Sequence, residues 1–322
     1  MLGSGCHVSV PGMIDRTAIS AAAARLGDRV RLTPLLRLDM ADLGVSCPTT
    51  LKLELLQHTG SFKPRGAFNR LLAANEKPRG VIAASGGNHG AAVAYVARSL
   101  AIPAEIYVPV TTPKAKLDRI ASYDARLVQT GDTYAAALAE SKARQAETGA
   151  LAIHAYDDAE VIAGQGTVGR ELELDAPDLT HVLVSAGGGG LIAGIAAWYA
   201  GSAELICVEP EGCPSLHAAM QAGYPVKVPV GGLAADSLGA TEVGRLVFPI
   251  AAAHVRGAVL VSDDAIRGAQ SRLWESARLI AEPGGAVALA GLLSGAFVPP
   301  AGARVGVVVC GGNTDPGQVL SR

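Results

Sequence analysis

Short β-branched runs alternate with Ala-rich stretches along most of the chain. Val81–Ser85 reads as a strand, and after Gly86 and Gly87 the apolar spacing predicts a helix from about His89 to Leu100. Ala104–Pro109 then predicts a strand and Lys114–Ser122 a helix, and Arg126–Thr130 followed by Tyr134–Glu147 repeats the pair. His181–Ser185, Glu204–Glu209 and Arg304–Cys310 are apolar runs of the kind found in buried strands, each followed by a turn bearing Gly or Pro. Strand, turn and helix in repetition is the pattern of parallel sheets covered by helices on both faces, so the predicted class is α/β. No fixed-period repeat, low-complexity tract or linker divides the chain, so two sheets would have to be interwoven. Ligands in such folds sit beyond the carboxyl ends of strands. That rule directs attention to the turns after Ser85, Ser185, Glu209 and Cys310.

Composition narrows the function classes. The 322 residues suggest about two domains or one large unit. Such a chain can bury a core without disulfides or metal. With 49% hydrophobic and 17% charged residues, disorder is excluded. A net charge of −2 offers no attraction to polyphosphate, so no nucleic-acid partner is expected. Cys6, Cys47, Cys207, Cys213 and Cys310 are scattered, without disulfide-framework or zinc spacing. The N-terminal MLGSGCHVSVPGMIDR has neither a basic nor an apolar signal region, and a cytoplasmic protein is expected. Val182–Ala203 and Pro283–Ala303 are uncharged and long enough to span a membrane. Gly187 to Gly190 interrupt the first; Pro283, Gly284, Gly285, Pro299 and Pro300 interrupt the second. Each is expected to be a short strand plus a helix, with no membrane contact.

Four segments carry candidate chemistry. Lys63 lies in Thr59-Gly60-Ser61-Phe62-Lys63-Pro64-Arg65-Gly66-Ala67, among small and apolar residues. It is either a solvated lysine at a helix start, with Pro64 in the first turn, or a nucleophilic amine. Ser185-Ala186-Gly187-Gly188-Gly189-Gly190-Leu191 joins a strand to an Ala-rich helix, where backbone N–H groups can converge on an anion. It lacks the lysine of a Walker loop and the spacing of a dinucleotide fingerprint, so a phosphate monoester fits better than a nucleotide. Ser85-Gly86-Gly87-Asn88-His89-Gly90 could grip a carboxylate at a helix start, or Asn88 could simply cap that helix. Cys310-Gly311-Gly312-Asn313 follows the last strand, and its thiol either fills the core or faces a ligand.

Together these segments resemble the pyridoxal-phosphate (PLP) enzymes related to threonine dehydratase and serine racemase. Ala163-Gly164-Gln165-Gly166-Thr167, Val208-Glu209-Pro210 and Ile280-Ala281-Glu282-Pro283 match further motifs of that family in order. The similarity runs from Leu32-Thr33-Pro34-Leu35 to Asn313, nearly the whole chain. It implies fold type II: two open parallel-sheet α/β domains with PLP in the cleft between them. The large PLP-binding domain would comprise residues 1–69 and 156–322, and the small, substrate-side domain residues 70–155. A homodimer is implied. Carried over residue by residue, Lys63 is the Schiff-base lysine and Phe62 packs against the cofactor ring. Asn88 bonds the 3′ oxygen, Gly187, Gly188, Gly189, Gly190 and Leu191 cradle the phosphate, and Cys310 faces the pyridine nitrogen. Ser85, Gly86, Gly87, Asn88 and His89 hold the substrate carboxylate.

The implied activity is ammonia-lyase action on a hydroxy amino acid of the L-threonine or L-serine type, giving a 2-oxo acid and ammonia. The alternatives are an amino-acid racemase, a lyase for a bulkier substrate such as phenylserine or hydroxyaspartate, and a PLP-binding protein without turnover. Racemase-like relatives carry a serine two residues before the PLP-binding Asn, where this chain has Gly86. Family members usually have Ser or Thr at Cys310 and often Gly at Ser237. Magnesium-binding members have a second acid after the Glu209 motif where this chain has Ser215, so only Glu209 remains as a ligand and no divalent metal is expected. The chain ends soon after Asn313, and no C-terminal regulatory domain is expected.

Overall fold

A computed structural model describes residues 14–320; Cys6 and most of the N-terminal segment lie outside the described residues. Ten strands form two sheets: β1 Leu35–Leu38, β2 Thr49–Lys52, β3 Val81–Ala84, β4 Ala104–Val108, β5 Arg126–Gln129, β6 Leu151–Ala152, β7 His181–Ser185, β8 Glu204–Pro210, β9 Val255–Val261 and β10 Val305–Val308. The six-stranded sheet has the order β1-β2-β10-β7-β8-β9 and the four-stranded sheet β5-β4-β3-β6. Every pairing is parallel except β1 with β2, which is antiparallel, so the large sheet carries one reversed edge strand. The sheets are interwoven: the chain enters the small one at β3, leaves after β6 and returns to the large one at β7.

The strands that periodicity missed have local reasons for being silent. β1 and β6 are short and half-buried, and β9 is half-exposed over most of its length. β2 is wholly buried, yet its sequence Thr-Thr-Leu-Lys ends on a charge. That charge is tolerated because Lys52 pairs with Glu171 at 2.7 Å.

Of the two uncharged stretches, 182–203 is a strand followed by a helix, Gly190–Tyr199. The second differs from expectation. It is a helix, Pro283–Leu293, followed by turns, with no strand before β10. Pro283 and the two glycines sit in the first helical turn, where Pro costs no hydrogen bond and starts rather than breaks the helix. Among the described residues, no helix is long and apolar enough to cross a membrane.

Each sheet is covered on both faces. The helices Arg16–Leu26, Ala159–Asp175 and Gly190–Tyr199 bury one face of the large sheet. Asp263–Ala277 and Pro283–Leu293 bury the other. The small sheet is sandwiched between Asn88–Ser99 and Tyr134–Thr148. The Lys63–Leu72 helix bridges the halves. Ala67, Phe68 and Leu71 pack into the small-sheet core, while Phe62, one residue before the helix, leans on the large-sheet core.

Candidate active site

The turns at the carboxyl ends of β3, β4, β7 and β10, with the segment after β6, open on one cleft of about 500 Å³. Phe62, Lys63, Ser85, Gly86, Gly87, Asn88, His89, Gly187, Gly188, Gly189, Gly190, Leu191 and Cys310 all line it. Thus every expected PLP- or substrate-binding residue reaches the same cavity.

Lys63 begins its helix, but it is not a solvated surface lysine. Its side chain is half-buried and Nζ donates to the Ala155 carbonyl at 2.8 Å. Burial pushes the amine down to about 8, against the opposing pull of Cys310 and Glu282. At pH 7 about one such amine in ten is uncharged, far more than for an ordinary lysine. The preceding backbone is stitched to the end of β10: Phe62 N–H donates to the Cys310 carbonyl at 3.2 Å, and Ser61 bridges to Gly311. The backbone that leads into the lysine is therefore anchored to the large sheet.

The glycine loop is shaped by what lies against it. A side chain at Gly188 would strike the ring of Tyr156, and Gly189 has φ +85°, which only glycine adopts without strain. The N–H groups of Gly187, Gly188 and Gly189 donate to no partner within the described residues. They lie at the start of the ten-residue Gly190–Tyr199 helix. Orphan donors at the positive end of a helix dipole suit a phosphate dianion.

Asn88 does not cap its helix. Gly87 is the cap residue, and the Asn88 side chain reaches across the cleft. Its amide donates to Glu282 at 2.6 Å and its oxygen accepts from Asn313 at 2.6 Å. One amide N–H remains for a ligand oxygen. His89 turns away: its Nε2 donates to the Ile153 carbonyl at 2.9 Å, and burial, with the Lys63 charge, lowers it to about 3. The neutral imidazole ties the helix to the segment after β6, so its Nε2 is committed to structure. Ser85 Oγ accepts from the Gly87 N–H at 3.2 Å.

Cys310 is buried, with its thiol 3.3 Å from Ser185 Oγ and donating to the Gly284 carbonyl at 3.4 Å. Burial, reinforced by Glu282, pushes it up to about 12, so it is neutral. Glu282, to which the sequence assigned no role, is buried beside Asn88, and burial pushes its carboxyl up to about 7. Tyr156 and Thr112 were also missed. Nothing in their local sequence marks them, because their role comes from lying against Gly188 and Gly86. Glu209 lies outside the cleft lining. It accepts from the N–H groups of Leu216 at 2.9 Å and His217 at 2.7 Å, and Ser215 Oγ lies at 3.2 Å. Among the described residues no cluster of three His, Cys, Asp or Glu side chains could hold a metal.

The arrangement can therefore hold a phosphorylated carbonyl cofactor. It offers a partly uncharged amine for the carbonyl, an N–H cradle for the phosphate, a spare amide N–H for a ring oxygen and a neutral thiol on the cleft floor. Comparison with known proteins agrees. Residues 26–311 match the family model described as pyridoxal-phosphate dependent enzyme. The L-threonine ammonia-lyase of Geobacter sulfurreducens is 39% identical over 308 residues, covering 94% of this chain and 76% of that protein. The phenylserine dehydratase of Ralstonia pickettii is 36% identical, covering 94% of each. The structure of maize serine racemase superposes with a TM-score of 0.90 at 33% identity, covering 95% of this chain and 96% of that one.

Proposed function

The chain belongs to the pyridoxal-phosphate dependent enzyme family, and from that membership we propose that it is an ammonia-lyase for a β-hydroxy α-amino acid of the L-threonine or L-serine type. The observation that carries this reading is the pairing of the Lys63 amine, lowered to about 8, with the orphan N–H groups of the glycine loop in one cleft. Bound there, pyridoxal phosphate supplies an electrophilic carbonyl and an electron sink for the carbanion.

The chain's own groups do the rest. Lys63 would anchor the cofactor, and its uncharged Nζ is the base for the proton on the substrate Cα. Gly187 to Leu191 hold the phosphate, Asn88 the ring oxygen, and Phe62 packs against the ring. The backbone of Ser85 to His89 holds the substrate carboxylate. Cys310, a neutral thiol, would face the ring nitrogen without lending it a charge, a partner that suits loss of the β-hydroxyl better than amino transfer. The net products are a 2-oxo acid and ammonia. Residues 1–69 and 156–322 are assigned to the large domain and 70–155 to the small one; the working unit is a cytoplasmic homodimer that needs no divalent metal.

A bulkier substrate is the second reading, supported by the match to a phenylserine dehydratase over 94% of each chain. Racemisation is disfavoured. It requires a second acid on the face opposite Lys63, and Gly86 supplies no side chain while Ser85 Oγ is bonded into its own turn. A Cβ at Gly86 would meet Thr112 Cγ2 at 2.9 Å, so Gly86→Ser alone is crowded and Gly86→Ser with Thr112→Ala is the variant to build. The test is a screen of β-hydroxy amino acids for 2-oxo acid, with chiral chromatography of the residual substrate. Release from threonine or serine with little D-enantiomer is expected. Preferential turnover of phenylserine would select the second reading. D-amino acid forming as fast as oxo acid would overturn the lyase assignment.

A further inference from the structure

Just before Phe62 and Lys63 the backbone makes a strained turn. Thr59 sits at φ 58° and ψ 15°, the left-handed region, which is uncommon and unfavourable for a β-branched residue. Its hydroxyl is buried without a hydrogen-bond partner in the described structure. The turn therefore persists because its surroundings hold it. Gly312 N–H donates to the Gly60 carbonyl at 2.9 Å, and Asn313 Nδ2 donates to the Thr59 carbonyl at 2.9 Å. Both come from the segment after β10. A third hold comes from the other half of the molecule: Arg119, half-buried on the Lys114–Ala121 helix beside the small sheet, donates through Nη2 to the same Thr59 carbonyl. The same helix makes a second tie across the cleft, Lys116 to Asp236.

We propose that Arg119 is a positioning residue: by clasping the Thr59 carbonyl from the small-sheet half, it fixes the Thr59–Gly60 turn and through it the Lys63 amine. Three residues separate Thr59 from Lys63, and the Phe62 N–H is fixed to the Cys310 carbonyl, so the turn leads directly into the segment that carries the lysine. The clasp makes Lys63 competent only when the two halves are seated together. Arg119 touches no reacting atom; besides clasping the turn its charge bears on Glu282, an influence that Arg119→Lys retains. This inference rests on Lys63 being the reactive amine.

The test follows the capture of added pyridoxal phosphate by apoenzyme, read as the growth of visible absorbance, alongside kcat and KM of the loaded enzyme. Arg119→Met keeps the length and loses the donors; Arg119→Lys keeps a donor and the charge. Capture by Arg119→Met is expected to slow about tenfold with kcat falling in parallel and KM changing less than about threefold. Arg119→Lys is expected to recover to within about twofold of wild type. Arg98→Met, which frees the end of the same helix at the Ser122 carbonyl without touching Thr59 or the cleft, is expected to lower the melting temperature yet capture at close to the wild-type rate. Wild-type capture and kcat in Arg119→Met would overturn the proposal. So would an equal loss in Arg98→Met, since loose helix packing alone gives that result. If Arg119→Met does not fold, Arg119→Gln, whose amide is too short for the carbonyl, carries the same expectation. Retention of visible absorbance by Lys63→Ala would instead sink the lysine assignment, and failure to release any oxo acid would sink the lyase reading; neither depends on the Arg119 comparison.

Discussion

Two cations stand two residues apart at the start of one helix, and their surroundings are opposite. Arg65 is fully buried and gripped by carboxylates: Glu54 accepts from Nε and Nη2 at 2.8 Å each, and Glu171 from Nη1 at 2.6 Å and Nη2 at 2.8 Å. Lys52 adds a second cation on Glu171, so two positive and two negative groups close a neutral cluster in the interior. Burial works against the Arg65 charge, but Glu54 and then Glu171 outweigh it and hold its pKa above the ordinary value. Lys63 is denied such a partner. The acidic groups that act on it are a thiol near 12 and a carboxyl near 7, and its hydrogen bond goes to a neutral carbonyl. Burial without a committed anion leaves an amine that gives up its proton. One helix turn thus carries a permanent charge used for architecture and a labile one suited to chemistry.

The sharpest way to break this comparison is to remove each cation. Lys63→Ala is expected to abolish turnover, by three orders of magnitude or more, and the visible absorbance of reconstituted enzyme, while circular dichroism and melting temperature stay close to wild type. Wild-type turnover would remove Lys63 from both its roles. Arg65→Leu should do the reverse. It leaves Glu54 in the interior without a cation and Glu171 with Lys52 alone, and breaking a buried ion pair from one side costs about 3–5 kcal/mol. The expected outcome is a large fall in the urea midpoint. A variant as stable as wild type would show that the cluster contributes nothing net.

A gentler probe is pH. Covalent capture by apoenzyme needs the free amine, so its rate should rise with pH and level off above about 8, not near 10.5. The sign follows from the direction of the shift: the folded chain releases the Lys63 proton before the unfolded one, so apoenzyme stability gains from this group between about 8 and 10.5. Glu282→Gln removes an anion that raises the Lys63 pKa and should move the midpoint lower. A midpoint that rises in Glu282→Gln would contradict the electrostatic account.

Why was Lys63 legible in the sequence and Arg65 not? The turns that build the cleft are strand-to-helix junctions, and their glycines mark them even in a single chain. Ser85 to Gly90, Gly187 to Gly190 and Cys310 to Asn313 were found that way, and parallel-strand periodicity placed them at one end of the sheets. The family resemblance then raised Lys63 above the many lysines that are merely solvated. The partners of Arg65 come from positions 54 and 171, far apart in sequence, and no local pattern links them. Tyr156 against Gly188, Thr112 against Gly86 and Arg119 on Thr59 are likewise contacts between distant segments. The edge strand β1 escaped because a half-exposed four-residue run has too little periodicity to read.

Glu209 extends the comparison to a buried carboxylate with no cation paired to it among the described residues, and it yields the smallest expected effect. Its two oxygens are taken up by the N–H groups of Leu216 and His217 and by Ser215 Oγ, at the start of the Ser215–Ala222 helix. These donors satisfy the oxygens, and burial still pushes the carboxyl up to about 7. A divalent cation at this position would have to displace helix N–H donors and then find further oxygens, since Ser215 stands where a second carboxylate would serve. Incubation with a chelator should therefore leave activity unchanged and the melting temperature within about a degree. Added magnesium should do no more. The measurement is a thermal melt and oxo-acid assay on chelator-treated enzyme, with and without magnesium. A loss of activity restored by the cation would show that backbone carbonyls and water complete a site around Glu209, with the Ser215 helix start giving way to it.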